Sequence, residues 1–145
     1  MDKIVIHCSA TPEGREVTVK QIDSWHRSRG FSEIGYHYVI LLDGTIEKGR
    51  SLDKMGAHSR GHNKDSIGIC YVGGMNKTYT KPQDTRTKEQ KAALVKLIFE
   101  LKSKYGIENE NIIGHNDLSS KACPSFDVRK WIDGLKWEDV DAISQ

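Results

Sequence analysis

Apolar residues along this chain occur in two patterns: short unbroken runs and one long helical stripe. Ile4-Val5-Ile6, inside residues 2–8, is an unbroken run and predicts a strand buried on both faces. Residues 35–42 end in Val39-Ile40-Leu41-Leu42 and predict a second strand. Asp43-Gly44 is a hairpin signal, with Thr45-Ile46-Glu47 as the returning partner. Ser66–Val72, stopped by Gly73-Gly74, predicts a central strand, and Ile112-Ile113 a short one. The helical stripe is Leu94, Leu97, Ile98, Leu101 and Tyr105, opened by the capping-box spacing Thr87-Lys88-Glu89-Gln90 and closed by Gly106. A second capping box, Thr18-Val19-Lys20-Gln21, opens a helix through Ile22, Trp25, His26 and Arg29 that Gly30 stops. Phe126–Ile132 predicts a last short helix, and the acidic tail after Trp137 either adds a turn or frays. Residues 50–65 read as irregular, and residues 75–86, polar and containing Pro82, as a surface loop.

Strands interleaved with helices predict an α/β (α+β) layer fold, a central mixed β-sheet flanked by helices, mixed because of the hairpin. Residues 1–145 are expected to form one domain, since the pattern holds no repeat, low-complexity tract or linker. A chain of this length buries roughly 68–70% of its unfolded surface and needs no covalent staple.

Charge changes the picture little. The net charge of +2 is spread along the chain, so no nucleic-acid partner is expected; a weakly basic surface suits an anionic polymer such as a cell wall. No apolar run is long enough to span a membrane. Cys8, Cys70 and Cys123 are odd in number and widely spaced, and residues 1–8 read as a strand instead of a leader. Reduced thiols and synthesis in a cytoplasm without a signal peptide are expected, so action on a wall needs release or export by another factor. A monomer is expected, because no exposed apolar stripe is evident.

Two apolar runs each end in histidine, at His7 and His115, as if two neighbouring strands delivered them to one sheet edge. Cys123 follows His115 by eight positions. Singly, each has an ordinary reading: a hydrogen-bonded strand-end histidine, or a cysteine used as a small hydrophobe. Together, three such donors with one open position describe a catalytic zinc site. A closed structural site stays open as an alternative, since Cys8 and His37 are available as a fourth ligand. There is no HExxH and no GxxxxGK. Zinc lowers the pKa of a bound water to about 7 and polarises a carbonyl, which is equipment for amide hydrolysis. Lys121, two residues before Cys123, is placed to stabilise an oxyanion if the metal is there, and is a solvated surface lysine if it is not. Tyr36 is either an orienting or proton-relaying hydroxyl or an ordinary strand-edge tyrosine. No carboxylate stands out as a general base. His58, His62 and Asn63 lie in a Gly-rich loop that offers polar contacts to a substrate, although a solvent-facing role is preferred for His62. His26 reads as structural, Cys8 and Cys70 as packing residues. Trp25, Trp131 and Trp137 read as packing residues in preference to a sugar platform.

His7-Cys8-Ser9-Ala10-Thr11, Gly35-Tyr36-His37-Tyr38, Asp43-Gly44-Thr45, Gly49-Arg50, Gly56-Ala57-His58, Gly61-His62-Asn63, Ser66–Gly74 and Lys121-Ala122-Cys123-Pro124-Ser125-Phe126-Asp127 occur in this order. Together they resemble the phage-lysozyme branch of the zinc-dependent N-acetylmuramoyl-L-alanine amidases, which is related to the peptidoglycan recognition proteins of animals. The likeness spans about residues 4–131; residues 133–145 are a C-terminal tail beyond it. The resemblance implies a groove over one sheet face with one Zn2+ per chain at its floor, held by His7, His115 and Cys123. It implies Tyr36 and Lys121 as catalytic residues, with His37, His58 and Asn63 as candidate substrate contacts. The recognition branch usually has Thr where Lys121 stands, so Lys points to the phage-type branch. The implied reaction cleaves the amide between N-acetylmuramic acid and L-alanine, making the stem peptide and the muramyl sugar the partners of an endolysin-like or prophage-derived enzyme. Three alternatives stand beside it. One is a non-catalytic peptidoglycan-binding module, against which the intact Cys123 argues. The others are a regulator binding a protein partner, such as a polymerase inhibitor, and a structural zinc protein.

Overall fold

The computed structural model describes residues 1–137. In chain order the strands and helices are β1 (Lys3–Cys8), β2 (Thr11–Pro12), α1 (Val19–Ser28), β3 (Tyr38–Ile40), β4 (Ile46–Lys48), β5 (Ser66–Tyr71), β6 (Gly74–Met75), α2 (Lys88–Tyr105), β7 (Ile112–Gly114) and α3 (Val128–Asp133). The main sheet runs β4-β3-β5-β1-β7, parallel throughout except for the β3–β4 hairpin. This is the mixed sheet the pattern predicts.

Both faces of the sheet are covered, which is why its central strands read as unbroken apolar runs. Ile4, Ile6, Ile67, Ile69 and Tyr71 pack on one face with Leu94, Leu97, Ile98 and Leu101 of α2 and with Val128 and Ile132 of α3. On the other face Val39 clusters with Val17, Ile22 and Ile34 around α1. Both predicted capping boxes form: the Thr18 hydroxyl accepts from Gln21 N–H at 3.1 Å, and that of Thr87 from Gln90 N–H at 3.0 Å. Gly106 closes α2 in the left-handed conformation, at φ 65°. Gln90 is fully buried and its amide donates to Val72 O at 2.9 Å and Ile40 O at 3.3 Å, which ties the start of α2 to the ends of β3 and β5.

Several elements differ from the sequence expectation. The strand expected over 35–42 is regular only at Tyr38–Ile40. Before it the chain hugs the 50–57 segment, and a Cβ on Gly35 would lie 2.0 Å from Ala57 O. The irregular stretch 50–65 is tightly tied: the Arg50 guanidinium donates to Ile34 O, Met55 O and Glu33 O at 3.0, 2.9 and 3.2 Å. A second, two-stranded parallel sheet joins β2 to β6, a pairing too short to carry a hydrophobic period. The last helix starts at Val128, where the Asp127 carboxylate accepts from Lys130 N–H at 3.1 Å. Trp131 meets Phe126 edge to face and Trp137 stacks on Phe99, as packing residues. Trp25 is the correction: it is 37% exposed, with the Arg15 guanidinium 5.8 Å from its ring, because it points away from the apolar face of α1. The reading of the tail beyond Trp137 lies outside the described residues.

Tyr71 links the sheet to the loop that carries Cys123. Its fully buried hydroxyl donates to Pro124 O at 2.6 Å. Tyr71→Phe leaves that buried carbonyl without its partner and should destabilise the protein by about 1–3 kcal/mol, read as a lower urea midpoint with an unchanged slope. An unchanged midpoint would mean the hydroxyl does not hold the loop.

Candidate metal centre and groove

Parallel pairing of β1 with β5 and β7 aligns the carboxyl ends of three strands. His7 lies near the end of β1, and His115 is the first residue past β7. Their ring centroids are 4.7 Å apart. Asp117 fixes the turn carrying His115 by accepting from Gly114 N–H at 2.8 Å. Cys123 arrives on the loop before α3, and its Sγ accepts from Cys8 N–H at 3.2 Å. That loop is further tied by Ser125 Oγ donating to Gly74 O at 2.8 Å and Asn116 Nδ2 donating to Phe126 O at 3.2 Å.

The donor atoms of His7, His115 and Cys123 all lie within 4.8 Å of one another. Cys123 Sγ is 3.8 Å from His7 Nδ1. Tetrahedral zinc, with bonds of about 2.3 Å to sulfur and about 2.0–2.1 Å to nitrogen, separates its ligand atoms by roughly 3.3–3.8 Å. Two imidazoles and a thiolate are a donor set that suits that ion, and the Cys123–His7 separation of 3.8 Å is at the upper end of this range. Among the described residues neither Cys8 nor His37 joins the cluster, so it has three donors.

Burial governs the protonation of these groups. It holds the His7 pKa well below 6.5, helped by the neighbouring His58 and His115. His115 is lowered by burial and then by the charge of Lys121. Both rings are thus neutral, as metal ligation requires. The Cys123 thiol is pushed up by its hydrogen-bonded pairing with Cys8 and by burial, so its proton leaves when a cation takes its place.

His7 and His115 line a groove of about 700 Å³, and Cys123 lies beside His7. Tyr36 lines it, half-buried, its ring 5.0 Å from that of His7. The segment carrying Tyr36 is aimed by α1, because Gly35 N–H donates to His26 Nδ1 at 2.9 Å. Burial raises the Tyr36 phenol well above 10, so it is a hydrogen-bond donor at neutral pH. Lys121 is exposed on the groove wall. His58 and Asn63 line the groove as well, but both have scaffold duties: Asn63 Oδ1 accepts from the N–H groups of His58 and Ser59 at 2.9 and 2.8 Å. His62, half-exposed, also lines it.

His37 needs a correction. It is 1% exposed and absent from the groove lining. Its Nδ1 accepts from Gly68 N–H at 3.0 Å and its Nε2 donates to Lys54 O at 3.0 Å, so the ring has no free atom for a substrate. Arg29, Phe31, Ser59 and Arg60 line the groove without having stood out in the sequence. A helix end and a loop deliver them, and no local spacing marks that meeting. The lining holds Arg29, Arg60 and Lys121 and, among the described residues, no carboxylate.

The chain belongs to the N-acetylmuramoyl-L-alanine amidase family, which it matches over residues 1–126, and it is an enzyme of that class. It is 39% identical over 142 residues to an endolysin of Klebsiella phage KP32, covering 98% of this chain and 89% of the relative. A peptidoglycan-recognition protein of Drosophila simulans is 32% identical over 126 residues, 86% of this chain and 64% of that protein. The solved structure of the N-acetylmuramoyl-L-alanine amidase LysC from Clostridium intestinale superposes with a TM-score of 0.74 at 30% identity, over 97% of this chain and 83% of that one.

Burial of neutral imidazoles sets an acid limit. His58 is held at about 3 by burial first and by the nearby His37 second, against 6.5 when unfolded. The unfolded chain therefore takes up protons as pH falls through about 6.5 while the folded chain does not. The stability these histidines contribute is present above that pH and is lost on the way down toward 3. The melting temperature of chelator-treated protein should fall between about pH 7.5 and about pH 5. A flat profile would show that the imidazoles are not held neutral.

Proposed function

We propose that this chain is a zinc-dependent peptidoglycan amidase of the endolysin type. It would hydrolyse the bond between the lactyl group of N-acetylmuramic acid and the L-alanine of the stem peptide. The observation that carries this is a three-donor cluster whose two histidines line a groove, with Tyr36 beside it and Lys121 on the wall. The endolysin relative and the amidase LysC support the substrate class. Synthesis in a cytoplasm, with access to the wall given by another factor, follows from the endolysin reading.

His7, His115 and Cys123 hold one Zn2+ in this reading. Bound there, zinc supplies a Lewis acid that polarises the scissile carbonyl and brings the pKa of a water to about 7. The Tyr36 phenol, kept protonated by burial, donates a hydrogen bond that orients the reacting groups. The Lys121 ammonium stabilises the negative charge that develops on the carbonyl oxygen. Arg29 and Arg60 give the groove a cationic wall that suits the free carboxylates of a stem peptide. Asn63 Nδ2 is one polar group of the loop that can meet that peptide, its oxygen being engaged.

Purified sacculi and metal analysis test this together. Wild type should carry about one zinc per chain and release stem peptides with an L-alanine amino terminus. Cys123→Ala should lose both zinc and release. Lys121→Ala should keep its zinc and lose about 10²–10³-fold in kcat, the scale of removing one oxyanion-stabilising group. Wild type that binds sacculi and zinc yet releases nothing would make the chain a recognition module. A Lys121→Ala enzyme with unchanged kcat would remove Lys121 from the mechanism.

A further inference from the structure

Behind His7 a line of buried hydrogen bonds runs to the far side of the groove loop. His7 Nε2 is 2.9 Å from His58 Nδ1, and His58 Nε2 is 3.2 Å from Ser66 Oγ. Ser66 Oγ also lies 2.8 Å from His62 O and 3.0 Å from Asn63 O. His7 and Ser66 are each 1% exposed and His58 is 9% exposed, so water does not substitute readily along this line.

The line can carry its protons in one of two directions, and Ser66 selects between them. Its hydroxyl has one hydrogen and faces two carbonyl oxygens, which only accept. Turning that hydrogen toward His58 would leave three oxygens facing one another with none to share, so the hydrogen goes to a carbonyl. Ser66 Oγ then accepts from His58, which places the His58 proton on Nε2. The His58 ring is buried between His7 and Ser66 with, among the described residues, no carboxylate beside it to pair a charge. It is therefore a neutral imidazole whose Nδ1 accepts, and the contact at 2.9 Å requires His7 to carry its proton on Nε2. Nδ1 of His7 is left as a bare lone pair, and that is the atom 3.8 Å from Cys123 Sγ. In the opposite direction a hydrogen would sit on the ligating atom and block it.

We infer that His58 and Ser66 are positioning residues that fix the tautomer of His7 so that Nδ1 faces the metal. Neither touches the metal or the reacting bond; both act through His7. The fold makes room for the ring: a Cβ on Gly68 would lie 2.6 Å from His58 Cδ2 and Cγ, and one on Gly56 2.5 Å from Cδ2. Asn63 holds the backbone at His58 and Ser59 and so fixes where the ring begins. The inference rests on the proposed metal site, and its test separates the two.

Long-range proton–nitrogen NMR on histidine-labelled, metal-free wild type reads the tautomers directly. The expected spectrum has both His7 and His58 protonated at Nε2; a His7 ring protonated at Nδ1 overturns the inference whatever the protein's activity. Zinc titration of variants supplies the second readout. His58→Phe keeps an aromatic ring but removes the acceptor, and should weaken zinc binding about 10–100-fold. His58→Asn puts an amide oxygen where Nδ1 lies and should recover most of that loss. Equal affinity in wild type and both variants, or equal loss in both with melting temperatures unchanged, overturns the positioning role. Wild type that takes up no zinc overturns the metal site itself, whereas zinc binding together with the wrong tautomer overturns the relay alone.

Discussion

The parallel alignment of β1 between β5 and β7 is the constraint on which the rest depends. Parallel strands send their carboxyl ends the same way, so a histidine near the end of β1 and another just past β7 must meet. The register pairs Ile6 with Gly114, which leaves His7 and His115 as the next residues on adjacent chains. A one-residue slip would turn His7 into the opposite core, where Ile4 and Ile6 pack. Apolar burial on both faces makes such a slip costly, so the hydrophobic core holds the donor geometry indirectly.

The groove wall is irregular backbone, and buried or half-buried polar side chains take the place of a ladder there. Arg50 spends its guanidinium on three carbonyls, His37 bridges Gly68 and Lys54, and Asn63 caps the turn at His58. Each group is satisfied, so the network stabilises one arrangement of the loop and does not penalise burial. Rigid support behind a site and exposed cations in front of it are a division of labour: Arg29, Arg60 and Lys121 are exposed residues of the groove lining.

Electrostatics at the floor point the same way. Burial holds the imidazoles of His7, His58 and His115 neutral and pairing with Cys8 keeps the Cys123 thiol protonated, so the donors themselves carry no charge. In the proposed reading, a dication held by His7, His115 and Cys123 would replace the thiol proton. Tyr36, raised by the same desolvation, stays a donor and does not compete as an anion.

Periodicity and turn chemistry are local, and they were sufficient for the layer class, both capped helices, the hairpin and the order of the strands along the chain. The donor triad was legible because strand ends advertise themselves: an apolar run that stops at His7, and another that stops just before His115. What stayed hidden depended on side chains that meet across the fold. His37 is an unremarkable polar position in its segment, yet its ring is wholly used by backbone groups far along the chain. Trp25 shares a helix with buried Ile22 but faces outward, because only α1's docking angle decides which face is covered. The β2–β6 pair is too short to leave a period, and Arg29 and Arg60 share a groove only because a helix end and a loop are folded against one another. The sequence by itself determined which residue types can bind a metal and which runs must be buried. Tertiary structure alone decided which nitrogen of His7 faces Cys123, since Nε2 is met by His58, a ring brought in from a loop, and Nδ1 is left 3.8 Å from the thiol.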